Sequence, residues 1–236
     1  MAVSYHLGEQ IIITLDPGNL PVYALRTTLR MAMAMCLSIL FTFVYASLAA
    51  KNRKAEQILV PLLDVLQSVP ILGFLSITTL WFVHFFSGSI MGPEAAAIFA
   101  IFTSQAWNMT FSFYHSLRMI PKELYHVAQV FHLSWWERFW KLEVPFAMPG
   151  LVWNTMMSVS GGWFFVVASE ALTIEGENVM LPGIGSYIAV AIMEKNLLAI
   201  CYAIATMLIV IMLYDQLIFR PIVAWSEKFK FELSAA

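Results

Sequence analysis

The chain has 236 residues, of which 60% are hydrophobic and 12% are charged, and its mean hydropathy is +0.76. An ordinary soluble domain is about half apolar and about one quarter charged, so this composition argues against a soluble enzyme and against a disordered or fibrous chain. The formal net charge of −2 provides no basic surface for nucleic acid. The composition therefore indicates a protein whose solvent is the lipid bilayer.

Five uncharged apolar runs lie along the chain. A helix needs about 20 mostly apolar residues to cross the hydrocarbon core of a bilayer. The runs cover 31–50, 71–86, 95–117, 144–169 and 196–214. Helices are favoured over strands because the runs are continuous rather than alternating. The sequence therefore predicts an all-α membrane protein with about five transmembrane helices, and Pro70 and Gly73 are expected to break the chain near the second one.

These runs divide the chain into three parts. Residues 1–30 are expected to form an N-terminal extracytoplasmic or interfacial segment, with a short interfacial helix at 23–30 and no cleavable signal peptide. Residues 31–220 form the predicted transmembrane domain, and residues 221–236 form a C-terminal tail.

The distribution of Lys and Arg predicts the orientation. Five spans place the two termini on opposite sides, and cytoplasmic loops are rich in Lys and Arg. Ten of the 13 basic residues fall on one side. These ten are Lys51, Arg53, Lys54, Arg118, Lys122, Arg138, Lys141, Arg220, Lys228 and Lys230. We therefore expect the N-terminus outside and the C-terminus, with its tail, in the cytoplasm.

The segment 118–150 lies on the predicted cytoplasmic side and carries the signals of two short helices. Pro121 is suited to start the first, and Glu123 is favourable in its first turn. Ser134 and Glu137 have the spacing of a capping box for the second helix. Helical spacing gives the first helix one apolar face, formed by Leu124, Val127, Ala128 and Phe131. Dense aromatic residues follow in the second helix, namely Trp135, Trp136, Phe139 and Trp140.

These features fit two structures. The segment 118–150 is either an interfacial amphipathic hairpin that lies on lipid, or a short helix that docks into a groove on another protein. The residue types alone leave both open.

A family resemblance favours the second structure. Pro121-Lys-Glu-Leu-Tyr125 is followed by Ala128, Leu133-Ser134, Phe139, Pro145 and Pro149. This order resembles the cytoplasmic EAA loop of inner-membrane permeases from binding-protein-dependent ABC importers, with most similarity to the nitrate/sulfonate/taurine type. The stretches 62–70, 162–170 and 181–185 add to the resemblance, which extends from about residue 21 to residue 225.

The sequence departs from the family pattern at two positions. The Glu-Ala-Ala triplet of the family stands here as His126-Val127-Ala128, and its glycine is His132, which adopts the left-handed backbone region less readily than glycine. The resemblance implies a coupling loop that binds an ATPase. Its residues here are Pro121, Glu123, Leu124, Tyr125, His126, Val127, Ala128, Phe131, His132, Ser134, Phe139 and Pro145.

The resemblance also implies partners and a mechanism. Two permease cores, identical or different, would form the pathway in a bacterial inner membrane, and the chain is either one core of such a pair or part of a longer fused permease. Two ABC ATPase subunits would carry ATP and Mg, and an extracytoplasmic solute-binding protein would deliver a small solute such as nitrate, a sulfonate, taurine or bicarbonate. The chain itself is expected to be a transport subunit, not an enzyme, without a cofactor, since it has no Gly-x-x-x-x-Gly-Lys-Ser/Thr phosphate loop.

Polar residues within the predicted spans are candidates for lining the pathway. Polar groups in a membrane usually face the protein interior or a water-filled cavity, and the alternative role is a hydrogen bond between helices. On two helix faces these residues are Ser104, Asn108, Ser112, Asn154, Ser158 and Gly161. Glu170, at the end of the fourth span, is expected to be either an interfacial carboxylate or a residue of a gate or of the contact with the binding protein.

Two other functional classes are weaker. A self-contained channel or secondary transporter would carry buried charge relays or interrupted helices in both halves of the chain. A membrane enzyme or metal site needs a cluster of acids, bases or ligands. His126 and His132 are six apart, unlike a helical metal pair, and Cys36 and Cys201 are interpreted as small core residues rather than as a disulfide or metal pair.

Overall fold

The computed structural model describes residues 13–69, 71–86, 89, 91–174 and 177–229. Its helices are α1 (Leu20–Lys51), α2 (Arg53–Ser68), α3 (Ile71–Phe85), α4 (Met91–Met119), α5 (Lys122–Val130), α6 (Trp135–Arg138), α7 (Val144–Glu170), α8 (Ile184–Met193), α9 (Leu197–Tyr214) and α10 (Arg220–Ser226). Short 3₁₀ turns lie at Pro17–Asn19 and Glu227–Phe229, and π-helical turns lie at Phe139–Glu143 and Asp215–Phe219.

The predicted helical membrane fold is confirmed, with one departure. Strands β1 (Ala171–Ile174) and β2 (Glu177–Met180) pair antiparallel, with Ala171 opposite Met180 and Ile174 opposite Glu177. This hairpin lies between the fourth and fifth uncharged runs, where no strand was predicted.

Three helical stretches of the described part of the chain are long and apolar enough to cross a membrane: Pro17–Lys51, Trp135–Glu170 and Leu197–Phe229. Helix α3 has only 15 residues, and α4, with 29 residues, carries polar side chains such as Gln105 and Asn108. The predicted number of five spans is therefore not confirmed.

Two predicted helix boundaries are wrong. Residues 23–30 are not a separate interfacial helix, because α1 runs unbroken from Leu20 to Lys51, with no glycine or proline after its first turn. Gly73 does not break the chain, because it lies inside α3. The break falls between Ser68 and Ile71, where a residue before a proline is disfavoured in a helix. Pro70 itself lies outside the described residues.

The interpretation of Cys36 and Cys201 as core residues is wrong. Cys36 and Cys201 are both free, as expected, but both are exposed on the surface of the chain rather than buried in its core. They lie on helices whose outer faces are apolar, so a small apolar side chain suits them equally well there.

The chain forms two compact units. The first unit takes its described residues from 1–37, 69–105 and 159–213, and the second from 38–68, 106–158 and 214–236. Helices α1, α4 and α7 each contribute residues to both units.

The apolar core of the first unit joins α8 and α9 to the start of α1. Tyr187 of α8 is fully buried, and its ring lies 6.1 Å from the ring of Tyr23. Small residues such as Ala191 and Ala203 permit close approach of α8 and α9 in this core.

A buried ion-pair network centred on Arg30 joins α1, α4 and α7 in the first unit. Its guanidinium group contacts Glu94 of α4 through two bonds of 2.6 Å, and Glu170 at the end of α7 through one bond of 2.7 Å. Glu170 accepts further bonds from the Thr27 hydroxyl and the Gly185 amide, each at 2.7 Å. One carboxylate thus ties together α1, α7 and the start of α8.

Two glycines permit this close approach. A Cβ atom at Gly183 would lie 2.3 Å from the Glu170 carboxylate, and one at Gly185 would lie 2.4 Å from the Val167 carbonyl oxygen. Both distances are too short for any other residue, which gives the Leu-Pro-Gly-Ile-Gly stretch at 181–185 a packing role.

The core of the second unit is aromatic. Phe43 of α1 contacts Phe113 of α4 and Phe139 of the first π turn, with ring centroids 5.1 and 5.6 Å apart. The Tyr114 hydroxyl donates to Glu56 at 2.5 Å, which holds α2 against α4. Residues of the segment 118–150, among them Ile120 and Phe139, are therefore part of this core.

We predict that Arg30→Met strongly destabilises the protein. The change leaves the Glu170 carboxylate buried and without its cation, and breaking a buried ion pair in this way costs about 3–5 kcal/mol of unfolding free energy. Arg220→Met is the matched control, because Arg220 and Asp215 form an exposed pair at 3.7 Å. Unfolding of the detergent-solubilised variants provides the measurement, and equal stability of the two variants would contradict the network's role.

Candidate functional site

Helix α5 begins where the sequence predicts, and part of its surface is buried. Pro121 is its N-cap and Glu123 lies in its first turn. Ala128 is buried, and the half-buried Leu124 and Tyr125 pack against the core of the second unit. One side of this nine-residue helix is thereby attached to the spans.

His132 follows α5 in the left-handed conformation, at the position where the family has its glycine. Its φ is 52°, its amide donates to the Gln129 carbonyl at 2.9 Å, and the Leu133 amide donates to the Ala128 carbonyl at 3.0 Å. These two bonds form a Schellman motif. Histidine therefore makes the turn that glycine would make, at a backbone cost of about 1–2 kcal/mol.

The predicted capping box of α6 is confirmed. The Ser134 hydroxyl accepts from the Glu137 amide at 3.3 Å, and the Glu137 carboxylate accepts from the Ser134 amide at 3.1 Å. The π turn that follows, Phe139–Glu143, joins α6 to α7 without a break and was not expected.

The predicted apolar face of α5 is divided between buried and exposed residues. Leu124 packs against the core of the second unit and Ala128 is buried, whereas Val127 is 50% and Phe131 is 72% exposed. The helix ends at Val130, so Phe131 no longer follows helical periodicity. Val130 is also 75% exposed, and Val127, Val130 and Phe131 together form what we name the docking surface. His126 and His132 are exposed as well.

A buried charge cluster lies on the inner side of the segment and was missed by the sequence analysis. Glu143 is fully buried, with Lys51 Nζ 2.6 Å from its Oε2 atom and Arg138 Nε 3.4 Å from its Oε1 atom. A signal was present: Lys51 directly follows one uncharged run, and Glu143 directly precedes another.

Aromatic rings cover the two cations of this cluster. Lys51 Nζ lies 5.0 Å from the ring centroid of Trp135 and 5.5 Å from that of Phe139. The Arg138 guanidinium lies 5.6 Å from the ring of Tyr125 on α5. Burial, together with the nearby Glu143 carboxylate, raises the pKa of the Tyr125 phenol, so this ring stays neutral against the cation at physiological pH.

The polar residues of the second unit that were expected to line a pathway form two hydrogen-bonded pairs. Asn108 Nδ2 donates to Ser158 Oγ, and Asn154 Nδ2 donates to Ser112 Oγ, each at 3.0 Å. These contacts are hydrogen bonds between α4 and α7, which is the role given above as the alternative to lining a pathway. Asn108 is nevertheless exposed on the surface of the chain.

The candidates in the first unit differ from one another. The Ser104 hydroxyl donates to the Ile101 carbonyl at 2.6 Å, and Gly161 faces open space. Glu170 is fully enclosed by its partners, so its interpretation as an interfacial carboxylate is wrong. The Arg30 guanidinium lies 2.7 Å from this carboxylate and compensates its charge in the protein interior.

No group of three or more His, Cys, Asp or Glu side chains in the described parts of the chain is arranged to hold a metal ion. The structure thus offers two kinds of functional feature: an exposed apolar docking surface and polar contacts between apolar helices.

The sequence matches a known family. Residues 38–220 match the family described as the binding-protein-dependent transport system inner membrane component. This match includes the whole segment 118–150 and most of the apolar helices.

Named relatives are all transport permeases. The bicarbonate transport system permease protein CmpB of Synechococcus elongatus is 24% identical over 199 residues, which cover 84% of this chain and 65% of that protein. The nitrate import permease protein NrtB of Leptolyngbya laminosa is 29% identical over 117 residues, 50% of this chain and 39% of that protein. The putative aliphatic sulfonates transport permease protein SsuC of Bacillus subtilis is 24% identical over 125 residues, 53% and 42% of the two chains. The matched stretches thus span less than two thirds of these relatives.

A solved structure shares the fold. The chain superposes on a chain of the MetNI methionine ABC transporter in an inward-facing conformation, with a TM-score of 0.69 and 16% sequence identity. The superposition covers 88% of this chain and 95% of that chain.

Proposed function

The chain belongs to the family of inner membrane components of binding-protein-dependent transport systems, and from this premise we propose that it forms part of the translocation pathway of an ATP-driven ABC importer. The family match over residues 38–220 supports this proposal. The observation that carries it is the docking surface on α5, whose apolar side chains are exposed although the rest of the helix is fastened to the second unit.

The docking surface has the composition of a protein contact. Val127, Val130 and Phe131 form an apolar centre, and the exposed polar residues Lys122 and Gln129 lie on the same short helix. An apolar centre with a polar rim, presented by a helix, is typical of a helix that inserts into a groove on a partner. We assign this partner to an ABC ATPase subunit that carries ATP and Mg.

The neighbouring aromatic residues have the composition of a lipid contact. Trp135, Trp136 and Trp140 are exposed at the start of Trp135–Glu170, one of the three helical stretches that are long and apolar enough to span a membrane. Tryptophan is enriched where spans enter the headgroup region. We therefore place α6 at the cytoplasmic membrane interface and α5 at the ATPase, with the N-terminus outside, the C-terminus inside and the protein in a bacterial inner membrane.

The solute is proposed to be a small anion. The named relatives transport bicarbonate, nitrate and sulfonates, and this is the only support for the substrate class. Arg30 is not available to bind it, because Glu94 and Glu170 occupy its guanidinium group. We therefore assign selection of the solute mainly to an extracytoplasmic binding protein, and the pathway to this chain together with a second permease core.

We predict that Phe131→Asp abolishes co-purification with the proposed ABC ATPase partner. The change places a charge in the centre of the docking surface, where it would be desolvated on binding. Ala128 is not suitable for this test, because it is buried and a charge there would disrupt α5. Ala224→Asp is the matched control, because it introduces the same charge at an exposed position on α10.

Capture of the ATPase by both variants would contradict the assignment of the docking surface. Failure of the wild-type chain to capture any ATPase would favour the alternative, a channel or secondary transporter without an ATPase partner.

We further propose that the faces with Ser104, Asn108 and Ser112 on α4, and with Asn154, Ser158 and Gly161 on α7, line the pathway, and that Glu170 supports it from the protein interior. The prediction is that Asn108→Cys reacts with a membrane-impermeant thiol reagent, because a pathway admits water. Ile209→Cys is the control, since Ile209 is also exposed but lies on the apolar helix α9. Cys36 and Cys201 must first be replaced by Ser, because both are exposed. Equal labelling at 108 and 209 would contradict the proposal.

A further inference from the structure

Glu143 has no role in the functions described so far. It lies at the end of the π turn Phe139–Glu143, directly before α7, and its side chain is fully buried. A buried carboxylate is costly unless cations compensate its charge, and here Lys51 and Arg138 lie at ion-pair distance from it, although neither carboxylate oxygen accepts a hydrogen bond from the described residues. Lys51 is the last residue of α1, and Arg138 is the last residue of α6.

These contacts continue to the docking helix. Arg138 touches the Glu143 carboxylate and also lies over the ring of Tyr125 on α5. A chain of direct contacts therefore leads from Lys51 through Glu143 and Arg138 to Tyr125, and connects the end of α1 to α5 within the second unit.

Few other contacts fix the position of α5. A helix of nine residues is marginal by itself in water, so its position depends on what it packs against. Ala128 is its one fully buried residue, and Leu124 and Tyr125 are half-buried. The loss of Glu143 would also leave Lys51 and Arg138 with no negative charge between them.

We propose that Glu143 is a positioning residue that couples the docking helix α5 to the end of α1, in addition to its covalent connection with α7. The inference rests on the proposed function, because it concerns how a displacement of α5 by the ATPase reaches the spans. Lys51 connects Glu143 to α1, and Arg138 connects Glu143 to α5.

The test measures distances by pulsed EPR in the complete complex with the ATPase, in a background without Cys36 and Cys201. Spin labels at 129 on α5 and 48 on α1 report the first connection, and labels at 129 and 157 on α7 report the second. Gln129, Leu48 and Met157 are all exposed, so labels there do not disturb the core.

We expect Lys51→Met to broaden the 48–129 distance distribution while the 129–157 distribution stays as in the wild type, because Glu143 and Arg138 remain paired. Glu143→Gln should broaden both. Lys141→Met is the matched control, since Lys141 forms an exposed ion pair with Glu137 in the same segment, and it should change neither distance.

Unchanged 48–129 distances in Lys51→Met would overturn the inference, and so would equal broadening of both distributions in that variant, which would indicate general loosening. Lys51 is partly exposed, so its substitution tests the proposal even where Glu143→Gln fails to fold. Failure of the wild-type chain to capture the ATPase would contradict the proposed function. Capture by the wild-type chain, with unchanged 48–129 distances in Lys51→Met, would contradict only this inference.

Discussion

The pairing of buried carboxylates decides which segments of this chain meet. Glu143 and Glu170 are the two carboxylates that are fully buried among the described residues, and each contacts Arg or Lys at 2.6–2.7 Å. In a medium of low dielectric constant an unpaired charge is far more costly than any one apolar contact is favourable. Arg30 therefore fixes α1, α4 and α7 around the start of α8 in the first unit. Lys51 and Arg138 fix the segment 118–150 to the spans in the second unit. Apolar burial holds the helices together, and the ion pairs determine their register.

Features that depend on neighbouring residues in the sequence could be predicted. The apolar runs gave the positions of the long helices, and the capping box at Ser134 and the helix start at Pro121 are local interactions between residues a few positions apart. The left-handed His132 was expected from a family pattern, and its physical basis is equally local, because a Schellman motif needs only the last turn of a helix. The proposed ATPase-binding role of the segment came from the resemblance, since the composition also fits a helix on lipid.

Features that depend on distant residues could not be predicted. Nothing near Glu170 in the sequence indicates that Arg30 neutralises it, so an interfacial carboxylate was a reasonable expectation and proved wrong. The apolar residues of α5 follow one helical face, yet the helix ends before Phe131, and Val127 and Phe131 are exposed while Leu124 and Ala128 are at least partly buried. The exposed Cys36 shows the same limit, because an apolar residue in a membrane span can face lipid as readily as a core. Hydropathy alone does not distinguish these two environments.

Site-specific photo-cross-linking in native membranes can determine whether an ATPase binds the exposed surface of α5, as we propose. A photoreactive residue at 131, in the docking surface, is compared with one at 204, which is exposed on α9. We expect a cross-link to the ATPase from position 131 and none from position 204. A cross-link from 131 only to lipid, with the ATPase expressed in the same cells, would contradict it and would assign α5 to the membrane interface.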